Sequence, residues 1–171
     1  MFPRREVGSV IERRATVVWE GDLQNGAGRL TTRTSEVLVS MPITFASRVE
    51  DAQGRTSPEE LLAAAHAACY AMSLSNVLAK AGTPVDQLEV EATCGLERGA
   101  DGLRIASMRL SVAATYEGAD PQKLEEAARI ADERCPVSGA LRGNIDIAID
   151  VRALKDGPVP AEAPTDPTRA A

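Results

Sequence analysis

The sequence predicts an α+β fold in which antiparallel sheets pack around long buried helices. Three observations carry that prediction. Residues 61–79 hold no formally charged side chain apart from His66 when protonated, so a helix there has no solvated face and is expected to be buried on most sides. Leu88, Val90, Ala92, Cys94 and Leu96 alternate with Glu89, Glu91, Thr93, Gly95 and Glu97, the period of a strand with one face in water. The elements run strands, helix, two strands, helix, strand, an α+β order.

Thr16 to Glu20 reads as the first strand, and Gly21-Asp22 and Asn25 to Gly28 supply turn residues leading into Arg29 to Arg33. Val37-Leu38-Val39 and Ile43-Thr44-Phe45 are expected to extend this hairpin into a small antiparallel meander, with a loop over 50–55 behind it. Ser57 suits a helix N-cap, Pro58 the first helical position, and Glu60 completes a capping box three residues after the cap. Gly82 stops that helix. Gly99-Ala100-Asp101-Gly102 turns the alternating strand into another whose apolar face is Ala106, Met108, Leu110, Val112 and Ala114. Asp120-Pro121 caps a helix over 122–133, and Pro136 disfavours helix at Cys135 before starting a short one through Leu141. The last strand is expected over 144–151, with Ile145, Ile147, Ile149 and Val151 on one face. The organisation is thus an N-terminal segment over 1–13, a single domain over 14–154, and a tail over 155–171 whose Ala, Pro and Thr content builds no core.

An apolar helix in so small a domain exceeds what one thin sheet covers, which predicts an intimate homodimer. A transmembrane reading meets the length threshold, but His66, Ser73, Ser75, Asn76 and the many alanines argue against it. Hydrophobic residues make up 44% of the 171 and aromatics only 3%, so the core is expected to be Ala, Leu, Val and Ile packed closely. The net charge of -6 argues against nucleic acid and anionic membrane as partners, because phosphates select a basic surface. Small molecules or proteins are expected instead. The charged start, Met1 to Glu6, leads into no apolar run, so no secretory signal is expected and the location is read as cytoplasmic. In that compartment the 3 cysteines rest as thiols, and a disulfide between them is transient and functional.

Cys69, inside the apolar helix, and Cys135, before the short one, form a candidate redox pair. With 3 cysteines and 1 histidine, a zinc site of four clustered thiolate or imidazole ligands is not expected, and no metal or cofactor is called for. Cys135 sits where an N-cap sits, so backbone N–H groups favour its thiolate, while burial raises the pKa of Cys69. On these grounds either thiol can attack first. Cys94 falls in register with apolar strand residues and reads as a small core hydrophobe. His66, one turn before Cys69, is read as a packed, hydrogen-bonded histidine in preference to a catalytic base, because no oxyanion site or orienting third residue is identifiable. If Cys69 is reactive a cation must reach it, and Arg48 is the candidate, with Arg29 and Arg33 as rivals. Glu59 is the carboxylate left to orient that arginine, since Glu60 serves the cap. About 15 Å of helix rise separates Glu59 from Cys69, so a shared site requires the Arg-Glu pair to come from a partner subunit or Arg48 to span the gap.

Trp19-Glu20-Gly21-Asp22, Thr56 to Leu61, Ala65 to Met72 and Cys135-Pro136-Val137-Ser138 together resemble the OsmC/Ohr family of thiol peroxidases, over roughly 14–153. The Cys-Pro-Val-Ser form and the Trp-Glu-Gly-Asp strand look more like the OsmC branch. The resemblance implies an intertwined α+β homodimer with two sites at the subunit interface. It matches Cys69 to the peroxidatic cysteine, Cys135 to the resolving one, and Arg48 with Glu59 to the supporting pair. It also implies reduction of organic hydroperoxides with electrons from a dithiol, often a lipoyl group on a protein. Two other classes use the same residues. One is a non-catalytic redox sensor or thiol-reactive binding module using the cysteine pair, and the other is a Cys69-His66 hydrolase.

Overall fold

The computed structural model describes residues 10–116 and 120–154. The expected tail over 155–171 and most of the N-terminal segment lie outside the described residues. The chain divides into two compact units, Met1–Ser57 and Pro58–Ala171.

In the first unit, strands β1 (Ala15–Glu20), β2 (Ala27–Thr32) and β3 (Met41–Thr44) pair antiparallel in that order. The β1–β2 turn is built by Asp22, whose carboxylate accepts from the backbone of Gln24 and Asn25, each at 2.9 Å. Val37-Leu38-Val39 is not a strand, contrary to the pattern expected of it. Glu36 and Ser40 flank it with φ of 56° each, a left-handed turn of backbone that ends any extended run. Between them Leu38 closes on Thr32, its carbonyl accepting from Thr32 N at 2.9 Å. Behind β3 a short helix, α1 (Ala46–Val49), replaces the expected extension of the strand through Phe45.

In the second unit, α2 (Pro58–Lys80) starts at the proline that the sequence placed first in the helix. It ends in a Schellman turn at Gly82, where φ is 78°, with Thr83 N donating to Leu78 O at 3.0 Å and Gly82 N to Ala79 O at 3.1 Å. Its buried residues, Glu59, Ala63, His66, Tyr70, Leu74, Val77 and Leu78, recur every three or four positions and form one stripe. Burial on most sides is therefore not reached within one chain: Ala64, Ala65, Ala68 and Met72 are exposed. α2 is long and apolar enough to cross a membrane by length and composition, yet its buried stripe lies in a core shared with strands and with another helix.

Strands β4 (Gln87–Gly99) and β5 (Gly102–Thr115) form the expected antiparallel hairpin, with Met108, Leu110, Val112 and Ala114 buried on β5. Helices α3 (Pro121–Arg134) and α4 (Pro136–Leu141) follow, and β6 (Asp146–Leu154) completes a sheet of order β4-β5-β6. The expectation of wholly antiparallel sheets fails here, because β6 runs parallel to β5, from Ser107 opposite Asp146 to Thr115 opposite Leu154. The reason is the connection: α3 and α4 form a crossover that returns the chain to the same end of the sheet, which makes the next strand parallel. Asp120 caps α3, accepting from Gln122 N at 3.0 Å. The core joins Tyr70, Leu74 and Leu78 of α2 to Leu110 and Val112 of β5 and to Leu124, Ala127, Ala128 and Ala131 of α3.

Candidate active site

The second unit brings the two cysteines of the expected pair together. Cys135 Sγ donates to Cys69 Sγ at 3.3 Å, across a sequence separation of 66 residues. α2 supplies Cys69 from its interior, where the small residues around it let another element come close. Cys135 arrives at the break between α3 and α4, where Pro136 forbids a continuous helix and sets Cys135 in extended backbone at φ -72°, ψ 116°. Cys135 is the N-cap of α4, its sulfur accepting from Ser138 N at 3.5 Å, as its place before Pro136 led one to expect. It is 1% exposed, whereas Cys69 is half-buried and the more reachable of the two.

Burial pushes the Cys69 thiol above its ordinary value, the neighbouring Cys135 pushes it the same way, and the Val137 N–H that donates to Cys69 works against both. The net direction keeps Cys69 protonated near neutrality, so these residues alone do not make it a strong nucleophile. Two ties hold the scaffold behind it. Tyr70 OH donates to Ala128 O and Ser73 Oγ to Ala131 O, both at 2.9 Å, clamping α2 to α3 a few residues before Cys135.

Glu59 is 6% exposed on the buried stripe of α2, and the unbroken helix keeps it about 15 Å along the axis from Cys69. It lies instead near Cys94 of β4, whose thiol its charge pushes up in addition to burial. Cys94 is half-buried on β4, in register opposite Met108. Arg48 is half-buried in the last turn of α1. Arg29 lies exposed on β2 and donates to Ser40 Oγ at 3.4 Å, while Arg33 donates to Thr16 Oγ1 at 3.3 Å.

His66 is 0% exposed, and its Nε2 lies 2.8 Å from Ser138 Oγ. It is thus the packed, hydrogen-bonded histidine that the sequence favoured, and its bond runs to Ser138, which the sequence singled out only as part of the second cysteine motif. Burial pushes the imidazole below its ordinary value, against the opposing charge of Asp132. The unfolded chain, with an ordinary value of about 6.5, therefore takes up the proton first as pH falls. This contribution to stability is complete above about pH 6.5 and is lost as pH drops from there toward the folded-state value. The sequence has 1 histidine, so thermal melts are expected to fall between about pH 7.5 and 5.5 and His66→Gln to flatten that slope. A slope unchanged in the variant assigns it to other groups.

A helix-borne thiol facing a second thiol at the cap of a short helix, over a three-stranded sheet, defines an α+β protein with a paired-cysteine site. A family model described as OsmC-like protein matches residues 50–150. Peroxiredoxin OsmC of Escherichia coli is 33% identical over 143 residues, covering 84% of this chain and 99% of that protein. The organic hydroperoxide resistance protein OhrB of Bacillus subtilis is 26% identical over 127 residues, or 74% of this chain and 90% of OhrB. The crystal structure of that OhrB superposes with a TM-score of 0.60, covering 81% of this chain and 98% of the other. A Legionella pneumophila structure, 23% identical with a TM-score of 0.64 over 84% and 98% of the two chains, shares the fold. The chain belongs to the OsmC/Ohr family.

Proposed function

We propose that this protein is a thiol-dependent peroxidase that reduces organic hydroperoxides to alcohols. The observation that carries the reading is the 3.3 Å approach of Cys69 Sγ and Cys135 Sγ. It is supported by relatives named as a peroxiredoxin and as organic hydroperoxide resistance proteins. In the proposed reaction the Cys69 thiolate attacks the distal peroxide oxygen. The O–O bond breaks, the alkoxide takes a proton and leaves as the alcohol, and Cys69 becomes a sulfenic acid. Cys135 then attacks the sulfenic sulfur, an S–S bond forms, and water departs with the Cys135 proton. An external dithiol reduces the disulfide by two exchange steps and is itself oxidised to a disulfide.

The alanines and leucines around Cys69 favour apolar alkyl or lipid hydroperoxides as substrates. A lipoyl group on a protein is the kind of dithiol we propose as reductant, in the cytoplasm. The exposed apolar face of α2, on which Met72 is 69% exposed, supports a homodimer in which a second copy covers it. We assign Arg48, with Glu59 orienting it, as the cation that lowers the Cys69 pKa and steadies charge on the peroxide oxygens, either the pair arriving from a partner subunit or Arg48 spanning the gap. Arg48→Ala is expected to raise the Cys69 pKa further, leaving less thiolate at neutral pH, and to slow peroxide reduction several-fold to match. Glu59→Gln acts in the same direction more weakly. Iodoacetamide alkylation against pH reads the shift; a shift in Arg29→Ala but not in Arg48→Ala moves the role to β2.

The test of the function is steady-state peroxide consumption with several hydroperoxides, using dihydrolipoamide and monothiols as reductants. The reading expects many turnovers with the dithiol and a preference for organic over hydrogen peroxide. One equivalent consumed per chain and no more, with dithiol in excess, makes the protein a sensor rather than an enzyme.

A further inference from the structure

We propose that His66 and Ser138 form a buried latch that holds α4 in register on α2 and so sets the reach of Cys135 toward Cys69. Under the peroxidase reading, on which this role rests, both are positioning residues for the disulfide-forming step. His66 stands three residues before Cys69 on α2, and Ser138 three residues after Cys135 on α4, so each helix presents its two residues on one face, one turn apart. The contacts pair in antiparallel order: His66 Nε2 with Ser138 Oγ at 2.8 Å and Cys69 Sγ with Cys135 Sγ at 3.3 Å. The Cys69–Cys135 contact and the Val137 N–H that donates to Cys69 hold the thiol end of α4, and the His66–Ser138 contact one turn away fixes its rotation about that end.

Ser138 links the two contacts directly. Its Oγ meets His66 while its backbone N–H donates to the Cys135 sulfur at 3.5 Å, so movement at the latch is movement at the thiol. α4 has only 6 residues, and its other side-chain tie is at its far end, where its C-cap Arg142 donates to Asp132 O at 3.2 Å and to the Asp132 carboxylate. The Tyr70 and Ser73 ties engage α3 at Ala128 and Ala131 and stop short of α4. Both latch residues are 0% exposed, where a polar pair costs more to bury than an apolar pair of the same shape. What the polar pair adds is direction. Among the described residues His66 Nδ1 is buried with no hydrogen-bond partner, an arrangement that favours the ring proton on Nε2, since a bare acceptor costs less than an orphaned N–H donor.

The step served by the latch is the condensation of Cys69 S–OH with Cys135 S–H. The S–O bond breaks, the S–S bond forms, and the Cys135 proton leaves with the hydroxyl as water. It needs the sulfurs to close from 3.3 Å to about 2.0 Å, so its rate depends on how well Cys135 is held. The preceding attack of Cys69 on peroxide draws on α4 only through the Val137 N–H that donates to Cys69.

The proposal is tested on the full chain without peroxide, by equilibrating the Cys69–Cys135 pair in glutathione buffers and measuring its effective concentration by mass spectrometry after acid quenching. Ser138→Ala and His66→Asn, which withdraws the nitrogen from Ser138, are expected to lower it by about tenfold or more. His66→Gln, whose terminal amide reaches the place of Nε2, restores most of the loss. Val112→Ala, a core truncation on β5, serves as the stability control and stays within twofold of wild type. In peroxide, the latch variants hold the sulfenic acid longer than wild type once it has formed, read by dimedone trapping. Wild-type effective concentration in folded Ser138→Ala, or in His66→Asn if Ser138→Ala does not fold, overturns the latch, as does an equal loss in Val112→Ala. A wild type that never reduces peroxide, with the effective concentrations as expected, removes the peroxidase reading and leaves the latch standing.

Discussion

Cys69→Ser is expected to bring peroxide reduction down to the background rate of the added dithiol alone, the largest loss of any single substitution here. A serine hydroxyl does not ionise near neutral pH and forms no sulfenic acid, so the variant lacks both the nucleophile and the atom that accepts oxygen. The fold should survive, because the site is half-buried and the replacement is close in size. Near-wild-type circular dichroism with no turnover is the expected pair of results. Multi-turnover activity in Cys69→Ser contradicts the assignment of the attacking thiol, and the natural suspect is then Cys135, whose sulfur already accepts a backbone N–H.

Cys135→Ser is expected to separate the two halves of the reaction. Cys69 still meets peroxide, so one equivalent of alcohol per chain should appear at close to the wild-type rate. Turnover with the dithiol then stalls or becomes dependent on excess thiol, because the partner 3.3 Å away that converts sulfenic acid into a reducible disulfide is gone. Prolonged peroxide should carry Cys69 onward to sulfinic acid, an irreversible product. Rapid-quench product analysis with intact mass spectrometry reads both the burst and the trapped species. Sustained dithiol-driven turnover at the wild-type rate means that the resolving sulfur is not Cys135.

Much of this arrangement was legible in the residues because its causes are local. Pro58, the uncharged run behind it and Gly82 delimit α2, which runs Pro58–Lys80, since caps and glycine stops act within a turn of where they stand. The alternation over 88–96 and the apolar face of 106–114 predicted the β4–β5 hairpin for the same reason. Pro136 likewise predicted the break that makes Cys135 an N-cap. What stayed hidden is non-local. The parallel pairing of β6 with β5 depends on where two helices return the chain, which no period within β6 encodes. Val37-Leu38-Val39 carries strand-like residues, but the positive φ at Glu36 and Ser40 and the closure on Thr32 overrule that local preference. Ser138 was visible only as the end of a motif, and its bond to His66 spans 72 residues. The matched three-residue spacings in the two cysteine motifs were the one signal that could have found it.

That Cys69 and Cys135 form the working pair can be read from disulfide mapping. The reduced full chain is treated with one equivalent of an organic hydroperoxide, free thiols are blocked, and non-reducing peptide mapping by mass spectrometry identifies the linked cysteines. A single dominant peptide joining Cys69 to Cys135, with Cys94 recovered as the blocked thiol, is expected. A dominant disulfide containing Cys94, or oxidation of Cys69 with Cys135 left as a free thiol, contradicts it.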